Sequence, residues 1–244
     1  MPTLDDNRAI WEQYAWPEGG EEWSKAWGHP ALMWHGTIYP RIAPFLPAEH
    51  VLEIAPGYGR CTDFLLWRCV RLTIVDLTTK CIEACRARFV GHPHLTYLVN
   101  DGRSLAGVAE ASVDFAFSWD SLVHADAPTM AAYVAELART LRPGGTAFLH
   151  HSNLAACAGP SAHWRDPSMS AEILQNQCAA VGLHVLAQEL VEWEPGLASD
   201  AFSLLRRPKP GDRMAAPRVD HNPDFVHEVA RYRRLSDLYW CSEV

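Results

Sequence analysis

Five short apolar runs, at residues 50–55, 71–76, 94–99, 113–118 and 145–151, recur through the middle of the chain with helix-like segments between them. Each run is strand-sized. The clearest of the intervening segments, residues 128–141, repeats Met130, Val134, Leu137 and Leu141 at helical spacing. Strand, helix, strand in succession requires right-handed crossovers, which gives a parallel sheet covered on both faces. The expected fold is therefore α/β and doubly wound. Two more strand candidates, residues 184–193 and 201–206, follow a helix near 170–181 that Ser170 can cap and Gly182 can end.

This alternation occupies residues 48–208, and the flanking segments have another character. Residues 1–47 hold Trp11, Trp16, Trp23, Trp27 and Trp34 and read as a helical cap or lid, whose indoles either pack it onto the core or line a pocket. Residues 209–244 form a C-terminal extension, in which Val226, Val229, Tyr232, Leu235 and Leu238 mark an amphipathic helix. That helix either closes the back of the sheet or pairs two chains as a homodimer. A formal charge of −8 argues against a broad basic surface, so nucleic acid is not an expected partner. The apolar runs are too short to span a bilayer and the first residues lack a basic-then-apolar leader pattern, so a cytoplasmic protein without a membrane partner is expected. Seven cysteines are odd in number, and Cys81 with Cys85, four apart on a helix, read as small core residues.

The segment Val51-Leu-Glu-Ile-Ala-Pro-Gly-Tyr-Gly-Arg-Cys-Thr62 puts Glu53 at a strand end and Gly57 and Gly59 in the turn to a helix. In a doubly wound sheet this turn lies at the switch point, where glycines let a ligand approach the backbone and a helix start offers free N–H groups. A dinucleotide fingerprint requires Gly or Ala three positions past the second glycine, where this chain has Thr62. An early acid such as Glu53 repels a diphosphate but suits the amino group of S-adenosylmethionine. Asp76, closing the second run, is placed to accept from both ribose hydroxyls, and Asp101, after the third, from an adenine amino group.

Together, the acidic glycine turn, Asp76, Asp101 and the "LRPGG" before the fifth run resemble class I S-adenosylmethionine-dependent methyltransferases over about residues 48–206. The resemblance implies a mostly parallel, seven-stranded Rossmann-like sheet. It also implies S-adenosylmethionine as cofactor, held by Glu53, Ala55, Gly57, Gly59, Asp76, Leu77, Asp101, Gly102 and Trp119. The chain departs from many members at Ala55-Pro56, where they have glycine after the opening residue of the turn.

Nucleic-acid amino-methyltransferases carry Asn/Asp-Pro-Pro-aromatic after the fourth strand, and this chain has Ser118-Trp-Asp-Ser-Leu-Val-His124. That stretch resembles bacterial methyltransferases of surface-polysaccharide and glycosylated natural-product pathways, which implies a sugar-bearing small-molecule acceptor and His124 as general base. The fifth run ends in "HHSN", which brings polar groups to the same crevice. Alternation sends His150 and His151 to opposite faces, and His151, nearer the carboxyl end, is the expected site residue. Asp120 and Asp126 are candidate partners of His124, with His35 and His163 ranked behind the other histidines. No resident metal is expected, although Asp120, His124 and His151 are of ligand type. A hydroxyl of the sugar-bearing acceptor is the leading target, with N-methylation of an amino sugar or aminocyclitol as the alternative, followed by a non-catalytic cofactor-binding module and, last, an NAD-dependent oxidoreductase.

Overall fold

A computed structural model describes residues 3–159 and 164–240. Eight strands, β1 (Ala48–Ile54), β2 (Cys69–Asp76), β3 (Leu95–Val99), β4 (Val113–Ser118), β5 (Leu141–Ser152), β6 (His184–Val191), β7 (Asp200–Arg206) and β8 (Arg218–Asn222), form one sheet in the order β3-β2-β1-β4-β5-β7-β6-β8. The first five are mutually parallel, and β7 runs antiparallel to both β5 and β6. The sheet is thus mixed and eight-stranded, where the sequence led us to expect seven mostly parallel strands. The extra strand, β8, lies parallel to β6 at the edge. Its sequence, Arg-Val-Asp-His-Asn, is polar and exposed and carries no apolar pattern to announce it.

The helices are α1 (Leu4–Gln13), α2 (Pro30–Met33), α3 (Tyr39–Ile42), α4 (Thr62–Leu65), α5 (Thr79–Arg88), α6 (Ala127–Thr140), α7 (Ala171–Ala180) and α8 (Phe225–Tyr239), with a π-helical turn over Trp34–Ile38. The starts of α5, α6 and α7 follow from side-chain caps that satisfy free N–H groups. Thr78 Oγ1 accepts from Cys81 N at 3.2 Å, Asp126 Oδ1 from Thr129 N at 2.8 Å, and Ser170 Oγ from Ile173 N at 3.1 Å. Strand alternation then divides the core in two. Phe115, Phe117 and Phe148 face Trp34 and the N-terminal cap, while Ala116, Ala147 and Leu149 face Met130, Leu137 and Leu174 of α6 and α7.

The cap and the C-terminal helix share one side of the sheet. Phe225 is fully buried, with its ring 4.9 Å from Trp193 and 5.4 Å from Phe202. Arg41 of α3 forks onto Glu189 of β6 at 2.6 and 2.7 Å and also reaches Glu228 of α8. The inner side of α8 therefore packs within its own chain. Helix α1 has no buried residue and is held by polar ties: Asn7 Nδ2 donates to His124 O, and Lys80 Nζ donates to the carbonyls of Glu12 and Tyr14. Among the described residues no helix is long and apolar enough to cross a membrane.

Candidate active site

The carboxyl ends of β1, β2, β4 and β5 open into a cavity of about 560 Å³ that the N-terminal cap roofs over. Its size is that of a small-molecule site. From the core come Glu53, Ala55, Gly57, Asp76, Leu77, Gly102, Trp119, Asp120, His124 and His150, and from the cap come Asn7, Trp11, Trp16, Trp23 and Trp27. The cap tryptophans take both expected roles. Trp34 is buried and stacked on Phe64 at 5.1 Å, whereas Trp16 lies over the glycine turn, stacked on Tyr58 at 4.5 Å.

The turn is built around left-handed residues. Gly57 has φ 58°, and a Cβ there would meet the Trp16 ring at 2.9 Å. Ala55 has φ 56° without being glycine. It is held there by its N–H on Val75 O at 2.7 Å and by Ser121 Oγ, which donates to its carbonyl at 2.8 Å. A left-handed alanine costs about 1–2 kcal/mol, so Ala55→Gly is expected to raise stability by about 0.5–1 kcal/mol in urea unfolding. A loss of stability would show that the turn is not strained. Gly59 departs from its expected place in the cofactor site. It does not line the cavity, and its missing Cβ makes room for Phe89, 2.5 Å away, so it serves packing.

Three carboxylates were expected to hold the cofactor, and the structure separates them. Glu53 is buried and accepts from Thr62 Oγ1 at 2.5 Å; burial pushes its carboxyl up to about 8, against the pull of Thr62 and Arg60. Asp76 is raised to about 6 by burial, offset by hydrogen bonds from Thr78 N, Thr78 Oγ1 and Gly57 N. Asp101 lies outside the cavity: it is exposed, and Oδ1 accepts from the N–H groups of Arg103 and Ser104, which hold its carboxyl below the ordinary value. Its neighbour Gly102 does line the cavity.

The histidines sort by strand parity. One of the pair on β5 faces the site, and it is His150 rather than the expected His151. His151 is fully buried away from the cavity, with Nδ1 on Ser152 O and Nε2 on Ser203 Oγ, each at 2.8 Å, and burial lowers it to about 4. Nearness to the strand end misled, because the side a residue faces is set by pleat parity alone. His124, on a short turn after β4, lines the cavity beside Asp120, and its ring lies 5.7 Å from Trp11. Burial and the Arg165 charge bring His124 down to about 4. Asp120 stays ionised: burial would raise it, but Arg60 at 3.2 Å and Arg165 at 3.7 Å lower it further. His163 lies outside the described residues, and His35 is absent from the cavity lining. Among the described residues no group of three or more His, Cys, Asp or Glu side chains is disposed to hold a metal ion, and Asp120, His124 and His151 do not converge.

Arg60 and Arg165, which line the cavity, and Asp200, which stands behind it on His150 and Arg165, were not found from the sequence. Arg60 directly follows Gly59 in the turn. Asp200 opens strand β7 as its one acid, beside the apolar Ala201 and Phe202, which is a signal of an inward charge that needs a partner. Arg165 arrives from a long loop with no local pattern to mark it.

Residues 51–145 match the family model described as a methyltransferase domain. Against curated proteins, the chain is 33% identical over 67 residues to ribosomal RNA small subunit methyltransferase A of Geobacter metallireducens. The match covers 26% of this chain and 24% of that protein, so the chain spans about a quarter of that relative's length. Solved structures extend the likeness in shape. A protein of Pyrococcus horikoshii aligns with a TM-score of 0.60 at 13% identity, covering 82% of this chain and 98% of that one. A methyltransferase of Haloferax volcanii, solved with a methyltransferase activator, aligns at 0.56 and 19%, covering 78% and 98%. The N-methyltransferase NodS of Bradyrhizobium japonicum aligns at 0.55 and 16%, covering 70% and 94%. The fold is the Rossmann-like one that solved S-adenosylmethionine-dependent methyltransferases also show.

The cavity suits that cofactor. Gly57 and Leu77 offer backbone and apolar contact, Asp76 offers acceptors for a diol, Glu53 offers a carboxyl for an ammonium, and the buried Nε1 atoms of Trp16 and Trp119 lack hydrogen-bond partners. The raised Glu53 value has a consequence for binding. A cationic ligand favours the ionised carboxyl, so affinity for S-adenosylmethionine is expected to rise with pH up to about 8, with proton release on binding. Calorimetry in buffers of different ionisation enthalpy checks this, and Glu53→Gln is expected to remove the pH dependence. Stability moves the other way: the raised value contributes fully below the ordinary carboxyl value of 4.5 and is lost as pH rises through about 8.

Proposed function

We propose that the protein is an S-adenosylmethionine-dependent methyltransferase acting on a hydroxyl of a sugar or sugar-bearing small molecule. The observation that carries this reading is the shared cavity, which joins Glu53, Gly57 and Asp76 to His124 and Asp120. Cofactor-type and acceptor-type groups thus face one space, as in-line displacement requires. When bound, the cofactor supplies an activated methyl on a sulfonium. The chain's own residues orient the acceptor and take its proton. His124 is held neutral by burial and hydrogen-bonds the Trp164 backbone, so its other ring nitrogen is the one to receive a proton from a hydroxyl, and the ionised Asp120 accepts a hydrogen bond from the acceptor. Trp27, Trp119 and Trp193 provide flat apolar walls on which the C–H face of a sugar ring can pack. The unpartnered Nε1 of Trp119 is a donor for a ring oxygen or hydroxyl. The net charge of −8 argues against RNA as the acceptor, although the curated relative acts on ribosomal RNA by its name.

Mass spectrometry of the protein with S-adenosylmethionine and a panel of glycosides, sugar nucleotides and aminoglycosides tests the acceptor class. A methyl on a hydroxyl-only acceptor is expected. Methylation of amines alone would favour a second reading, an amino-sugar N-methyltransferase, which the net charge of −8 supports through attraction of cationic acceptors.

A further inference from the structure

Asp120 adopts φ 57°, in the left-handed region, at the point where β4 delivers the chain to the cavity. Non-glycine residues persist there only where their surroundings over-determine them. Its backbone N–H donates to Nδ1 of His150 at 3.1 Å. With Nδ1 accepting, the His150 proton sits on Nε2, which donates to Asp200 Oδ2 at 2.7 Å. Arg165 grips the same carboxylate from the other side, Nε on Oδ1 and Nη2 on Oδ2, each at 2.8 Å. The side chains of Asp200, His150 and Arg165 are 0%, 1% and 8% exposed. A buried ion pair adds little to stability compared with apolar packing of the same volume, so stability alone is a poor reason for this arrangement. Its outlet is Asp120, whose carboxylate it leaves turned into the cavity between Arg60 and Arg165.

We propose that His150, Asp200 and Arg165 are positioning residues that lock the left-handed conformation of Asp120 and so aim its carboxylate at the acceptor; this rests on the methyltransferase reading above. Two substitutions at His150 separate positioning from bulk stability. In His150→Asn the amide can take the place of Nδ1 and still accept from Asp120 N–H, but Asp200 loses its donor. In His150→Gln the amide can take the place of Nε2 and serve Asp200, but Asp120 N–H loses its acceptor. Urea stability is therefore expected to rank wild type, then His150→Gln, then His150→Asn. Protection of the Asp120 amide in NMR-detected hydrogen exchange, and turnover with a hydroxyl acceptor from the panel, are expected to rank wild type, then His150→Asn, then His150→Gln. The loss of kcat in His150→Gln is expected to be about 100-fold, the scale of an ångström-sized misplacement. Activity and exchange that follow the stability order, or an Asp120 amide in His150→Gln as protected as in wild type, would overturn the proposal. Binding of S-adenosylhomocysteine by wild type is measured alongside. Its absence would sink the methyltransferase reading, while the exchange ranking would still decide the network.

Discussion

His124→Ala is expected to lower kcat by about 100- to 10,000-fold, the range for losing a positioned general base, while affinity for S-adenosylhomocysteine changes little. The expectation follows from placement: His124 faces the cavity beside Asp120, His151 is turned away, and both ring nitrogens of His150 are committed. The pH profile gives an independent check. Because burial and Arg165 hold His124 at about 4, the acid limb of kcat/KM is expected near that value and not near 6.5, where a free imidazole titrates. Near-normal turnover in His124→Ala, with a rate that instead follows the titration of an amine acceptor, would remove its role as base.

The second large effect concerns the buried charges. Asp200→Ala is expected to destabilise the fold by about 3–5 kcal/mol, because it leaves the Arg165 guanidinium without its bidentate partner. The Asp200 carboxylate is buried, which disfavours its charge, but Arg165 and His150 overcome this and hold it well below the ordinary carboxylate range. Its contribution is therefore complete above the unfolded carboxyl value of about 3.9 and declines only in strong acid, as pH falls through the lowered native value. Urea unfolding at pH 7 measures the loss, and a change under about 1 kcal/mol would mean that water relieves Arg165 once Asp200 is gone.

The parts of the fold legible in the sequence are those written in short-range periodicity. Strands β1 to β7 and helices α6 and α7 follow from apolar alternation, helical spacing and the Ser170 cap. Strand β8 was not legible because an exposed polar edge strand carries no apolar pattern, and the antiparallel pairing of β7 depends on contacts distant in sequence. The site divides in the same way. Glu53, Gly57 and Asp76 stand at strand ends or in the turn that follows, where residue type and spacing suffice to find them. The choice of His150 over His151 hinges on a single residue of register, which sequence does not fix. Arg165 meets Asp200 across 35 positions, and no local pattern joins them. Asp101 was legible as a loop acid, but its own loop amides use its carboxylate.

Calorimetric titration of the purified protein with S-adenosylmethionine, and separately with NAD, tests the central claim most directly when repeated on Asp76→Ala. The account predicts saturable binding of S-adenosylmethionine, strongly weakened in the variant that lacks the carboxylate on β2, and no binding of NAD. Saturable binding of NAD without binding of S-adenosylmethionine would contradict it.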